Sequence, residues 1–402
     1  MAKFKYKAVT MSGVVHTGVQ DAPDRDSLMS ALRAEGLYAT AIKDVTKSGA
    51  AAGLFAPKIN IQALSMFCSQ LAAVLRAGVP LASALDIMRD QVDDRTLKKI
   101  LAEVLRKLRA GRSLTEAFSP FKERFPQMFL NMLEAGETSG SLDSCLERAG
   151  ETFVKQAKIT RKVKAAMAYP AVLLLLTAAI TAFLLVTIVP MFAGQYALTG
   201  TQLPALTQTL LNLSALLQRQ WLPIILIIIA AAVLFRLWLG TDAGRTSFDK
   251  FKLKIPVIGR LIRVVCAGRY TRTLSTMNAA GVPLTNALEV TAHTVGNRFL
   301  EKKIDVILED VRMGSSITAP LERMKIFPAL ITHMTRLGEE SGTLDELLEH
   351  TAGFYEEQSD AAIASMTALL EPLIIIIMGL VIGTVVLSIM MPMYGSVTMA
   401  GA

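Results

Sequence analysis

The chain contains no Gly-Lys dipeptide. It therefore has no phosphate-cradling loop ending in Gly-Lys-Ser or Gly-Lys-Thr, which argues against a P-loop nucleotide triphosphatase. A His-Glu-x-x-His pair is also missing, and the four histidines, His16, His293, His333 and His350, are far apart in sequence. His333 and His350 could meet within one helical bundle, but solvated or hydrogen-bonded side chains explain them more simply than metal ligation. Cysteine is scarce. Cys68, Cys145 and Cys266 form no Cys-x-x-Cys pair and read as reduced, buried thiols. No catalytic site, metal or cofactor is expected. Most telling is the absence of charge: residues 165–218 and 372–402 hold no Asp, Glu, Lys or Arg.

Those charge-free blocks are apolar in a chain that is 52% hydrophobic. A run of about 20 apolar residues crosses a bilayer as a helix. Three spans are predicted, Pro170–Val189, Leu222–Leu239 and Pro372–Met391. At about 1.5 Å per residue each covers roughly 27–30 Å, the depth of a hydrocarbon core. Trp221 and Trp238, the only tryptophans, bracket the second span, where amphipathic rings favour the interface. The first residues, MAKFKYKAVT, lack the apolar core of a signal peptide, so the N-terminus is expected in the cytoplasm. Lys155, Lys158, Arg161, Lys162 and Lys164 precede the first span, and Arg245, Lys250, Lys252, Lys254, Arg260 and Arg263 follow the second. The intervening loop carries one charge, Arg219. Positive charge marks the cytoplasmic side, so 1–169 and 240–371 are expected there and the C-terminus on the far, periplasmic side. These collars suit anionic lipid headgroups rather than nucleic acid, despite a net charge of +8.

The decisive pattern is an internal repeat of about 200 residues. Ala77-Gly78-Val79-Pro80-Leu81 recurs as Ala280-Gly281-Val282-Pro283-Leu284. Gly136-Glu137-x-Ser139-Gly140-x-Leu142-Asp143 recurs as Gly338-Glu339-x-Ser341-Gly342-x-Leu344-Asp345. Pro170 and Pro190 bracket one apolar segment, Pro372 and Pro392 another. Two copies of one polarity need a return between them, which is the unmatched second span. Gly78 suits a left-handed helix C-terminus and Pro80 the first turn of the next helix. Ser113–Glu116 and Thr343–Glu346 fit capping boxes, and Asp143 and Asp345 fall in first turns, where the helix dipole favours them. About six short helices are expected per copy, the last running on into its span. Pro190 and Pro392 are expected to end helices.

The resulting fold class is an all-α membrane protein: two homologous cytoplasmic six-helix bundles, three spans and a small β-containing N-terminal module. The expected bounds are 1–47 for the module, with strands at Phe4–Ala8 and Leu37–Val45 and a helix at Ser27–Glu35. A linker at 48–59 follows. The first bundle is 60–168, the first span 169–192, a loop 193–220 and the second span 221–239. The second bundle is 240–370, the third span 371–392 and a tail 393–402. In the loop, Leu210, Leu213, Leu216 and Leu217 share one face.

Gly136-Glu-Thr-Ser139-Gly140 has the wrong spacing for a nucleophile elbow. Glu137 and Glu339 have two readings: a bond to backbone amides at the following helix start, or a carboxylate pair for a cation or a basic partner. Glu371, directly before Pro372, reads as an interfacial charge or as a contact with a neighbouring subunit or pilin. Apart from Arg236, which lies near the end of the second span and can snorkel into the headgroups, the spans hold no ionisable residue, which speaks against a transporter or sensor.

The doubled Ala-Gly-Val-Pro-Leu and Gly-Glu-x-Ser-Gly-x-Leu-Asp motifs, the entry prolines and the Val-Pro and Met-Pro exits resemble the GspF/PilC family. These are platform proteins of type II secretion systems and type IV pili, and the resemblance covers nearly the whole chain. It implies an oligomer at the base of the machine, coupling a cytoplasmic hexameric ATPase to extraction of pilin or pseudopilin subunits beside other inner-membrane assembly proteins. The Ala-Gly-Val-Pro-Leu and Leu203-Pro204 details lean toward the pilus branch; a secretion or DNA-uptake platform is the alternative.

Overall fold

The computed structural model describes residues 2–10, 15–22, 27–29, 37–44, 59–192, 194 and 205–400. Residues 48–58 of the expected linker, the Leu203-Pro204 stretch and most of the helix at Ser27–Glu35 lie outside these; residues 27–29 are helical. Three strands, β1 (Ala2–Thr10), β2 (Val15–Ala22) and β3 (Leu37–Asp44), form an antiparallel sheet in the order β2-β1-β3. The alternation in Phe4–Ala8 and the run at Leu37 mark β1 and β3. The strand β2, with its Gly18 and mixed polarity, carries no such signal. This part belongs to a unit made of Met1–Ile59 and Phe121–Phe125.

The larger unit is helical. Its first copy contains α1 (Ile61–Arg76), α2 (Leu81–Gln91), α3 (Arg95–Arg109), α4 (Leu114–Phe118), α5 (Gln127–Ser139) and α6 (Leu142–Phe183). Then follow α7 (Ala205–Arg219), α8 (Trp221–Gly240) and α9 (Asp242–Lys252). The second copy contains α10 (Ile258–Ala279), α11 (Leu284–Thr294), α12 (Arg298–Arg312), α13 (Thr318–Met324), α14 (Ala329–Ser341) and α15 (Leu344–Ala400). Each copy thus has six helices in matching order. Phe67, Phe118 and Phe129 form the aromatic centre of the first core; Tyr270 against Phe327 holds the same place in the second. Each fully buried side chain of this size contributes about 1.5–3 kcal/mol.

The repeated glycines have two distinct jobs. Gly140 and Gly342 cap α5 and α14 at φ 70° and 73°, and Gly78 and Gly281 turn the chain at φ 81° and 75°. These are left-handed backbone positions that disfavour side chains. Gly136 and Gly338 are helical and serve proximity instead. A Cβ at Gly136 would lie 2.8 Å from the Leu142 Cα, and one at Gly338 would lie 2.7 Å from the Leu344 Cα. The turn from fifth to sixth helix closes that tightly in both copies.

Three helices are long and apolar enough to cross a membrane: Leu142–Phe192, Trp221–Gly240 and Leu344–Ser388. At about 1.5 Å per residue the 51 residues of the first extend roughly 75 Å, over twice a hydrocarbon core of about 30 Å. The surplus is the sixth helix of the bundle, so bundle and span share one rod. Pro170 and Pro372 lie inside these rods. Pro190 and Pro392 do not end them, contrary to the sequence expectation. Residues 189–192 continue helically past a π turn at Leu184–Ile188, and α15 runs through Pro392 to Ala400, across most of the expected tail.

Gly338→Ala should lower the thermal midpoint of the detergent-solubilised chain, at a cost of about 1–3 kcal/mol for overpacking. Gly353→Ala is the control. Its Cβ meets nothing within 4 Å, so the midpoint should hold or rise.

Candidate functional site

Each copy ties its fifth helix to its fourth through one carboxylate. Glu137 on α5 accepts from Leu114 N–H (2.6 Å), Thr115 N–H (3.0 Å) and the Thr115 hydroxyl (2.7 Å). Glu339 on α14 accepts from Ile317 N–H (3.0 Å), Thr318 N–H (3.3 Å) and the Thr318 hydroxyl (2.8 Å). Both carboxylates bond backbone amides, but at the helix start that precedes them in the chain, α4 or α13, and not at the following one as expected. The donors come from a distant turn that local spacing does not reveal. Ser113 caps α4 through Glu116 N–H at 3.1 Å, as the capping box requires. Thr343 does not act this way: its hydroxyl meets Ser341 Oγ at 2.7 Å, just as Ser141 meets Ser139 at 2.6 Å. Burial pushes the Glu137 carboxyl up, yet the bonds from Thr115 and Leu114 outweigh it and hold the group below its ordinary value.

The two copies meet along parallel sixth helices. Thr152 bonds Thr276 at 3.1 Å, Lys155 lies 3.9 Å from Glu349 and 4.0 Å from Glu356, and Lys162 bonds Asp360 at 2.5 Å. Further along, Val163 and Ala166 pack on Leu261, Ile363 and Met366. Arg272 anchors this seam. It is 6% exposed and bonds Glu356 at 2.7 Å and Glu349. Burial works against the Arg272 charge, but the two carboxylates outweigh it and hold the guanidinium above its ordinary value. Burial likewise raises Glu349, while Arg272 and Lys155 carry it below its usual range. Sequence reading missed Arg272, because a single arginine in a helix gives no sign of burial.

At the other end of the spans, α7 supplies what the exit prolines remove. A proline has no N–H, so it leaves the carbonyl four residues back without its helical donor. For Pro190 that carbonyl is Val186, and Gln218 Nε2 donates to it at 2.7 Å. For Pro392 it is Ser388, and the Thr207 hydroxyl donates at 2.7 Å. Ser214 Oγ caps the neighbouring Leu185 carbonyl at 2.5 Å. Thr207 and Ser214 are buried, with Leu210, Leu211 and Leu217 packed beside them on Leu185, Val189 and Val385. Leu213 and Leu216, expected on the same face, are exposed instead, 44% and 46%. The packed face follows the polar side chains that reach the spans.

The remaining sequence candidates are separate. Asp143 and Asp345 sit in the first turns of α6 and α15, and Asp143 lies 3.9 Å from Arg76. Pro80 and Pro283 stand one residue before α2 and α11. Glu371 is exposed and has no ion-pair partner among the described residues. His333 and His350 are exposed, and among the described residues no His, Cys, Asp or Glu group is placed to hold a metal ion. Cys68, Cys145 and Cys266 are free and buried; burial pushes the Cys266 thiol up to about 12.

Two outcomes follow from this geometry. Thr207→Val keeps the shape but removes the donor to Ser388, and should cost about 1–3 kcal/mol in unfolding of the detergent-solubilised chain. Glu137 and Glu349 have lowered folded-state values, so their stabilisation is present above the ordinary carboxylate value, 4.5, and is lost as pH falls through the lowered ones. Glu137→Gln should flatten the acid side of a stability-versus-pH curve and leave its alkaline side in shape.

The type II secretion system protein F family matches residues 67–190 and 270–392, the two copies described above. Its N-terminal domain family matches residues 1–43. A type IV pilus assembly protein PilC of Thermus thermophilus is 34% identical over 98% of both chains. One of Myxococcus xanthus is 33% identical over 100% of this chain and 96% of the relative. A type II secretion system protein F of Vibrio cholerae is 30% identical over 98% of each. A doubled bundle-and-span unit, matched twice by one family and along its whole length by such relatives, places this chain in the GspF/PilC family of type II secretion protein F and pilus assembly proteins.

Proposed function

We propose that the chain is an inner-membrane platform of a type IV pilus assembly or type II secretion machine. The observation that carries this reading is end-to-end similarity to proteins bearing those names, across two bundles that each share a rod with a membrane span. Such a rod transmits movement between an aqueous bundle and the bilayer without chemistry of its own. In this proposal both bundles and the N-terminal module face the cytoplasm, where a hexameric assembly ATPase engages them. The residues after the third span face the periplasm. The basic collars rest on anionic lipid. The motif positions Gly78, Pro80, Gly136, Gly140, Pro170 and Pro190, with their second-copy partners, set the scaffold. Glu371, exposed beside the third span, is the surface carboxylate offered to a pilin or a neighbouring copy. Between the two machines identity does not decide, since pilus assembly relatives match at 29–34% and secretion proteins at 30–32%; the pilus reading rests on the Ala-Gly-Val-Pro-Leu and Leu203-Pro204 details of the sequence.

Deleting either bundle, residues 60–141 or 258–343, should abolish fibre assembly in cells while ATP hydrolysis by the isolated ATPase is unchanged. Normal fibres from a chain with one bundle would end the proposal. Glu371→Gln should reduce surface fibres severalfold with the chain still present in the membrane; unchanged fibre number would remove Glu371 from the contact.

A further inference from the structure

The two bundles of one chain meet through different faces. The first contributes α5 and α6; the second contributes α10, α11 and α15. Ala135 on α5 lines a cleft with Gly281 of the second copy, and Thr152 on α6 bonds Thr276 on α10. An arrangement of this kind leaves one unused face on each bundle, and the repeat says what stands there. On the open face of the second bundle, Ala135 is replaced by Leu337 and Thr152 by Phe354. On the open face of the first, Thr276 is replaced by Ala73, and Gly281 by Gly78. Leu337 is 52% exposed and Phe354 45% exposed, and Ala73 and Gly78 are exposed too. So two large apolar side chains stand on one face and two small residues on the other. The internal seam has no such pairing of knobs and hollows; there the matching positions are small or polar.

We propose that copies of this chain associate head to tail, Leu337 and Phe354 of one copy seating against Ala73 and Gly78 of the next. The contact repeats between chains the one that already joins the two bundles within a chain, so it is continuous with an interface present in the fold. It also respects the bilayer. The sixth helices run parallel across the internal seam, Lys155 beside Glu349 and Lys162 beside Asp360, and a copied seam keeps every span pointing the same way. A face-to-unlike-face contact closes into a ring, of two copies about a two-fold axis or of more, or runs on as an open row. The inference deepens the platform proposal and rests on it only in taking that platform to be an oligomer.

The test uses the full chain in native membranes under copper-phenanthroline oxidation. The three native cysteines are buried. A chain carrying both Ala73→Cys and Phe354→Cys should give covalent dimers from a ring of two, or a ladder from a larger ring or a row. Mixed Ala73→Cys and Phe354→Cys single variants should give dimers and nothing larger. Phe354→Asp should weaken self-association at least tenfold by native mass spectrometry, at an unchanged thermal midpoint. Dimers from Phe354→Cys alone would show like faces meeting and overturn the head-to-tail contact, leaving the platform reading intact. No interchain bond in the double variant would also overturn it. A wild-type chain that is monomeric in the same measurement would remove the oligomer from both.

Discussion

A carbonyl inside a bilayer with no donor is among the most expensive groups a protein can carry, and the architecture turns on avoiding it. Pro190 and Pro392 each strip the donor from a carbonyl near the end of a span remote from its bundle. Helix α7 returns the donors, through Gln218 to Val186 and through Thr207 to Ser388. A π turn at Leu184–Ile188 widens the helix just ahead of Pro190. Because one short helix serves both prolines, it holds the ends of the two homologous spans remote from the bundles together. The seam that begins at Thr152 and Thr276 is thereby closed at its far end as well.

Duplication has kept some physical solutions and changed others. The carboxylate clamps of Glu137 and Glu339 use the same three donor types. The pairs Arg109–Asp86 at 2.8 Å and Arg312–Glu289 at 3.1 Å occupy matching places, with the acid one methylene longer in the second copy. What diverged lies at the seam. Arg272 corresponds to Ser69, and Gly150 leaves room for Ser69: a Cβ there would come within 2.7 Å of Ser69 Oγ. In the first copy that surface stays within its own bundle; in the second it meets the Glu349–Glu356 pair and Lys155. A buried guanidinium there is tolerated because both its carboxylates are fixed by the same helix.

Much of this was legible in the sequence. The repeat showed the paired helices, the left-handed glycines and the continuity of Leu142 and Leu344 into the spans, because those depend on local backbone geometry repeated in register. The non-local partners were hidden. Glu137 was readable as an amide acceptor, but its helix lies 22 and 23 residues back, a relation made by tertiary packing. Proline as a helix terminator is a sound local expectation. It failed at Pro190 and Pro392 because Thr207 and Gln218 change the energetic balance from another helix. Those two polar residues sit among leucines, and only their reach to the spans distinguishes them. The strand β2 was missed because its alternation is broken by Gly18 and by the adjacent polar pair Gln20-Asp21.

The length of α15 has a mechanical corollary. Its 57 residues form one uninterrupted rod of roughly 85 Å at about 1.5 Å per residue. Pivoting such a lever by about 5° about one end carries the other sideways by roughly 7 Å, close to the spacing between neighbouring packed helices of about 8–10 Å. A small rocking of the bundle is therefore amplified, by leverage alone, into several ångströms of travel at the far end of the rod.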